Sequence, residues 1–85
     1  MPDFYYYRVT MVTDYLAIST TVSLDLPEEV GNLSAEAWRQ AVVEADAMIE
    51  YEMGKKLAYR ANEISVVLLL DDEEIHLEEG ELVNA

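Results

Sequence analysis

Leu16-Ala17-Ile18-Ser19-Thr20-Thr21-Val22-Ser23-Leu24-Asp25-Leu26 alternates almost without a break. Leu16, Ile18, Val22, Leu24 and Leu26 fall on one parity, interrupted by Thr20, and Ala17, Ser19, Thr21, Ser23 and Asp25 fall on the other. Successive side chains of a strand point to opposite faces, so this pattern predicts a strand with one buried and one open face. Pro27 has no N–H to donate and ends the ladder. On the N-terminal side, Thr13-Asp14-Tyr15 is a short link, which predicts an antiparallel hairpin with the run before it. That run, residues 4–12, is rich in aromatic and β-branched residues and reads as a strand. Tyr5, Tyr7, Val9 and Met11 share one face, and Phe4, Tyr6, Arg8, Thr10 and Val12 share the other. Large apolar side chains on both faces suit a central strand, or one whose outer face meets another chain.

C-terminal to the hairpin, residues 28–34 read as a loop. Ser34 is a good N-cap, Leu33 before it is placed to staple onto Trp38, and Glu36 sits where a negative charge favours the helix dipole. Apolar residues then recur at 38, 41, 42, 45, 48, 49 and 53, which is helical spacing. Gly54 is a natural C′ residue, so the helix is predicted over 35–53. The spacing of Leu57, Ala58 and Ala61 leaves residues 55–62 open between helix and strand. Residues 63–70 read as a third strand, apolar on both faces at its end and therefore central or at an interface. Asp71-Asp72 makes a turn, and residues 73–78 are predicted as a short charged edge strand with Ile75 and Leu77 inward. Gly80 and the residues after it are expected to fray.

The expectation is one small two-layer α+β domain over residues 1–85, ββαβ(β). An antiparallel sheet of three or four strands is covered on one face by a single helix. The open face is expected to carry either the small polar residues of 17–25 or the aromatic residues near Phe4 and Tyr6.

Eighty-five residues leave no room for a second core. Eighteen acids against five Lys and Arg give a net charge of −13, while a hydrophobic content of 52% is that of a folded domain. That charge excludes direct nucleic-acid binding through a basic face, and it opposes docking on an anionic membrane. Without cysteine there is no disulfide, thiolate zinc site or cysteine nucleophile. The N-terminus lacks the basic and apolar regions of a signal peptide, and the longest apolar run, Val66 to Leu70, is too short to span a bilayer. The expectation is a soluble cytoplasmic protein, in the host cytoplasm if phage-encoded.

No Gly-rich phosphate loop, GxSxG, HExxH or EF-hand spacing occurs. The chain is therefore expected to act without catalysis and without a cofactor. Glu74, His76 and Glu78 would share a strand face, but nothing completes a coordination sphere, and no metal site is expected. The acid is concentrated in the second two-thirds of the chain, with seven acids among the eleven residues 71–81. Asp46 and Glu50 lie one helical turn apart, about 6 Å. Alternate acids on an edge strand would lie about 7 Å apart. Such spacings are close to those between phosphates along a nucleic-acid strand.

In size and charge the chain resembles small phage-encoded nucleic-acid mimics, including anti-restriction and anti-CRISPR proteins. The resemblance covers composition alone and transfers no site residues. It implies a basic protein surface, that of a nucleic-acid-binding protein, as the partner. Glu44, Glu50, Asp71, Asp72, Glu73, Glu74, Glu78 and Glu79 are the candidate contacts. A second reading is a small virion or scaffold protein that forms a homo-oligomer, with Phe4, Tyr6, Tyr7 and Leu69 as self-association anchors. A third is the ordinary domain of a halophile.

Overall fold

β1 (Tyr5–Val12) and β2 (Ala17–Leu24) form the hairpin that the alternation predicts, in continuous antiparallel register from Tyr5↔Leu24 to Val12↔Ala17. The computed structural model describes residues 5–25 and 35–79. Phe4, Leu26, Pro27, the 28–34 loop with Leu33 and Ser34, and the segment from Gly80 onward lie outside the described residues. Helix α1 (Ala35–Met53) has the predicted bounds. β3 (Glu63–Leu69) and β4 (Glu74–His76) complete a four-stranded antiparallel sheet in the order β2-β1-β3-β4.

The two strands with large apolar residues on both faces, β1 and β3, are the central pair. Their shared register runs from Tyr6↔Leu69 to Val12↔Glu63. Every central strand is flanked on both sides, so its polar backbone is consumed by its neighbours and only side chains need cover.

α1 supplies that cover on one face. Ala37, Trp38, Ala41, Val42, Ala45 and Ile49 form its buried stripe. They meet Tyr7, Val9 and Met11 of β1, Val22 and Leu24 of β2, and Val66 and Leu68 of β3. Small residues at 37, 41 and 45 let the helix approach closely, while Trp38 fills the volume beside them. Ile75 and Leu77 close the core from the β4 side, as predicted.

Residues 55–62 are neither a helical extension nor a strand. Gly54 ends α1 with φ +80°, and its N–H donates to the Glu50 carbonyl at 2.8 Å. A residue with a Cβ is strained in that conformation, so glycine is the natural stop. The chain then folds back. Asp46 Oδ1 accepts the backbone N–H of Leu57 at 2.7 Å and of Ala58 at 3.1 Å. Leu57 is buried beneath this bracket, and a single 3₁₀ turn, Ala58–Arg60, leads into β3. Periodicity cannot reveal such a segment, because its geometry is set by one side-chain acceptor eleven residues upstream.

Tyr7 is fully buried, and its hydroxyl has no hydrogen-bond partner among the described residues. Burial pushes its pKa up to about 12, with the nearby Tyr5 adding to the effect. In the unfolded chain the phenol ionises near the ordinary value of 10. Its stabilising contribution is therefore complete below pH 10 and is lost as the pH rises toward about 12. Tyr7→Phe removes an unsatisfied polar group and keeps the ring. We expect equal or greater resistance to urea at pH 7, and a smaller loss of stability between pH 10 and 12 than in the native chain. Paired denaturation curves check both.

Candidate functional site

The two alternatives for the open face are one and the same. Tyr6 pairs with Ser23 on one side and Leu69 on the other, so aromatic and small polar residues share the uncovered side of the sheet. That side carries Tyr6, Arg8, Thr10 and Val12 of β1, flanked by Ala17, Ser19, Thr21 and Ser23 of β2. Ser65, Val67 and Leu69 of β3 and Glu74 and His76 of β4 continue it.

Two of the anchors assigned to self-association keep an exposed or half-exposed place there, with Tyr6 at 50% and Leu69 half-buried beside it. Tyr7 does not. It points to the helix side with no surface exposed, because adjacent residues of a strand face opposite ways and this one holds the core. No partner can reach it in the folded monomer. Phe4 lies outside the described residues.

Arg8 ties this face together. Its Nη2 and Nη1 donate to Glu74 Oε1 at 2.8 Å and Oε2 at 3.2 Å. β3 runs between the two residues, and the pair spans it from Arg8, opposite Val67, to Glu74, opposite Leu69. Val67, beside it, is only 3% exposed, although it lies on the side away from the helix. The hydrogen bonds from Arg8 and its charge hold the Glu74 carboxyl below the usual range. Glu74, a candidate partner contact, thus already has a cation of its own.

The remaining candidate carboxylates divide into separate zones. Asp71, Asp72 and Glu73 sit on the exposed β3–β4 turn, closed by the Leu70 N–H donating to the Glu73 carbonyl at 2.9 Å. Glu78 and Glu79 follow β4 and are exposed. Glu44 and Glu50 are exposed on α1 and lie about 120° apart around its axis. The sheet separates that helix from Glu74. β4 has three residues, so strand geometry does not impose the expected 7 Å spacing across 73–79. Asp46, one helical turn from Glu50, is occupied by the backbone of Leu57 and Ala58. Glu36 is likewise held, by Arg39 and Gln40, and the hydrogen bonds from these two lower its pKa.

Lys55, Lys56 and Arg60 lie within six residues of one another, and none makes an ion pair with a carboxylate among the described residues. Arg60 stacks over the Tyr59 ring at 5.2 Å and donates to its hydroxyl. Lys55 and Arg60 border a cleft of about 380 Å³ with Asp14, Tyr15 and Leu16. A second cleft, about 300 Å³, lies between Trp38, Ile64 and Glu79. No group of three metal-ligating side chains converges among the described residues. No helix is long and apolar enough to cross a membrane among them either.

No family model, curated protein or solved structure matches the chain.

Glu74 should titrate below the ordinary carboxylate range in a carboxyl-detected NMR titration, and Arg8→Ala should return it to that range. The depressed pKa fixes the sign. The contribution of the pair is present above the ordinary Glu pKa and is lost as the pH falls through the lowered one.

Proposed function

We propose that the chain is a non-enzymatic acidic binding module that occupies the basic groove of a nucleic-acid-binding protein, as a phage-encoded anti-restriction or anti-CRISPR inhibitor does. The observation that supports it is the exposure of Asp71, Asp72, Glu73, Glu78 and Glu79 without any cation of their own among the described residues. Carboxylates tied to internal partners have little left to offer a groove. These five can exchange water for Lys and Arg and exclude the phosphates that groove would otherwise hold. The net charge of −13 adds long-range steering toward a basic surface. Because Glu44 and Glu50 lie on a separate surface, the 71–79 segment carries the interaction.

Capture from a bacterial lysate with a salt-gradient wash tests this. The native chain is compared with one in which Asp71, Asp72, Glu73, Glu78 and Glu79 are changed to Asn or Gln. The native chain should retain a nucleic-acid-binding protein that elutes as salt rises, and the neutralised chain should not. Equal retention by both overturns the reading. Retention by neither leaves the acidity as a matter of hydration or salt tolerance.

The second reading, a small assembly protein, is favoured by Tyr6 standing half exposed beside Leu69 on the uncovered face. It requires an oligomer that survives high salt and is disrupted by Tyr6→Ser or Leu69→Ser. Native size-exclusion profiles of the three chains decide it.

A further inference from the structure

The two edges of the sheet are built very differently. β4 is three residues long, and Glu73, Glu74, Glu78 and Glu79 lie within or beside it. Short length and charge are the usual protections of an edge against pairing with another chain. β2 has none of them. It is eight residues long, has no charged residue and no proline, and keeps an unbroken register with β1, so no bulge twists it away. No strand lies beyond it among the described residues.

The direction of its free backbone groups follows from the hairpin. The Thr13 N–H donates to the Leu16 carbonyl at 2.8 Å, which makes 13↔16 a hydrogen-bonded pair. Such pairs recur at every second residue, so Ile18, Thr20, Val22 and Leu24 turn their backbone groups toward β1. Ala17, Ser19, Thr21 and Ser23 turn theirs outward.

We propose that this edge binds the same edge of a second copy, antiparallel about a two-fold axis through Thr20, to give one continuous eight-stranded sheet. The register is singled out because it alone uses every outward group. Ala17 pairs with Ser23 of the other copy, and Ser19 with its Thr21. The open face of the junction then holds Ala, Ser and Thr side chains, whose hydroxyls both donate and accept and so suit a self-pairing surface. On the helix side, Ile18 meets Val22 of the other copy and Leu16 meets its Leu24. Leu16 and Ile18 are only partly buried in the single chain, and pairing supplies the cover they lack. Charge points the same way. Two chains of −13 repel, and the uncharged strip of β2 is where their backbones can meet with no like charges in opposition. The inference stands whether or not the acidic segment binds a basic groove.

Salt separates the two. Groove binding weakens with salt, whereas this dimer strengthens, because screening removes the repulsion and leaves the backbone hydrogen bonds. Sedimentation should show more dimer at about 1 M salt, where the Debye length is about 3 Å, than at about 0.01 M. Thr21→Pro deletes an outward N–H that β1 does not use. It should weaken dimerisation at least about tenfold with the circular dichroism of the monomer unchanged. Thr21→Val keeps the N–H and should dimerise as the native chain does. Hydrogen exchange of the native protein needs no variant. The amides of Ser19, Thr21 and Ser23 should exchange freely in the monomer and gain protection with concentration. A monomer at about millimolar concentration in about 1 M salt would overturn the proposal. So would a dimer that leaves those amides unprotected or that Tyr6→Ser disrupts and Thr21→Pro does not.

Discussion

One helix must cover the inner face of a four-stranded sheet, and the rest of the molecule is arranged around that requirement. There is no disulfide, and among the described residues no second α-helix shares the work. α1 meets it by pressing close through Ala37, Ala41 and Ala45, approaching β2 most closely and bringing Trp38, Val42 and Ile49 into one core with residues of β1, β2 and β3. β1 and β3 hold the most deeply buried residues because each is flanked by a strand on both sides. The start of β2 is left partly bare at Leu16 and Ile18. Among the described residues the opposite face carries no helix, and its central apolar residue, Val67, lies beside the ion pair that spans β3.

Much of this is legible in the residues themselves. Alternation over 16–26 and helical spacing over 38–53 are strong because each element buries one face and exposes the other, which writes its period into the sequence. The central position of β1 and β3 is legible for a related reason, since a strand enclosed on both sides carries large apolar residues on both parities. What lies outside that logic is long-range and polar. Asp46 looks like any other acid of an exposed helix face, yet it fixes the backbone of Leu57 and Ala58. Glu74 looks like its neighbours in an acidic run, yet Arg8, 66 residues away, claims it. Tyr6 and Tyr7 are chemically identical in sequence, and only the parity of the strand relative to the helix separates an exposed ring from a core one.

The same distinction applies to the carboxylates as a set. Counting them gives a charge and a field, but their roles depend on what each one already holds. Glu36, Asp46 and Glu74 stabilise local structure, whereas Asp71, Asp72, Glu73, Glu78 and Glu79 hold no cation among the described residues. A surface that looks uniform in composition thus contains fixed and available charge, and only the available part can serve recognition.

The order of the strands also dictates how the protein must assemble. β1 is synthesised well before its partner β3, which begins 51 residues after β1 ends. The hairpin β1–β2 is local and can form within microseconds, but a two-stranded hairpin has little stability by itself. The central pair forms only when a loop containing the whole of α1 closes, and that entropy must be met before the core returns anything. Until Leu69 has been made, β1 therefore has an exposed edge of its own, and the nascent chain passes through a stage with two unprotected edges in place of one. The strongly acidic residues 71–79 follow β1, β2 and β3, so the charge that keeps chains apart is only partly present when the sticky strands are. Solubility during synthesis accordingly falls to the acids that precede them, five of which lie on α1, the element made between the two central strands.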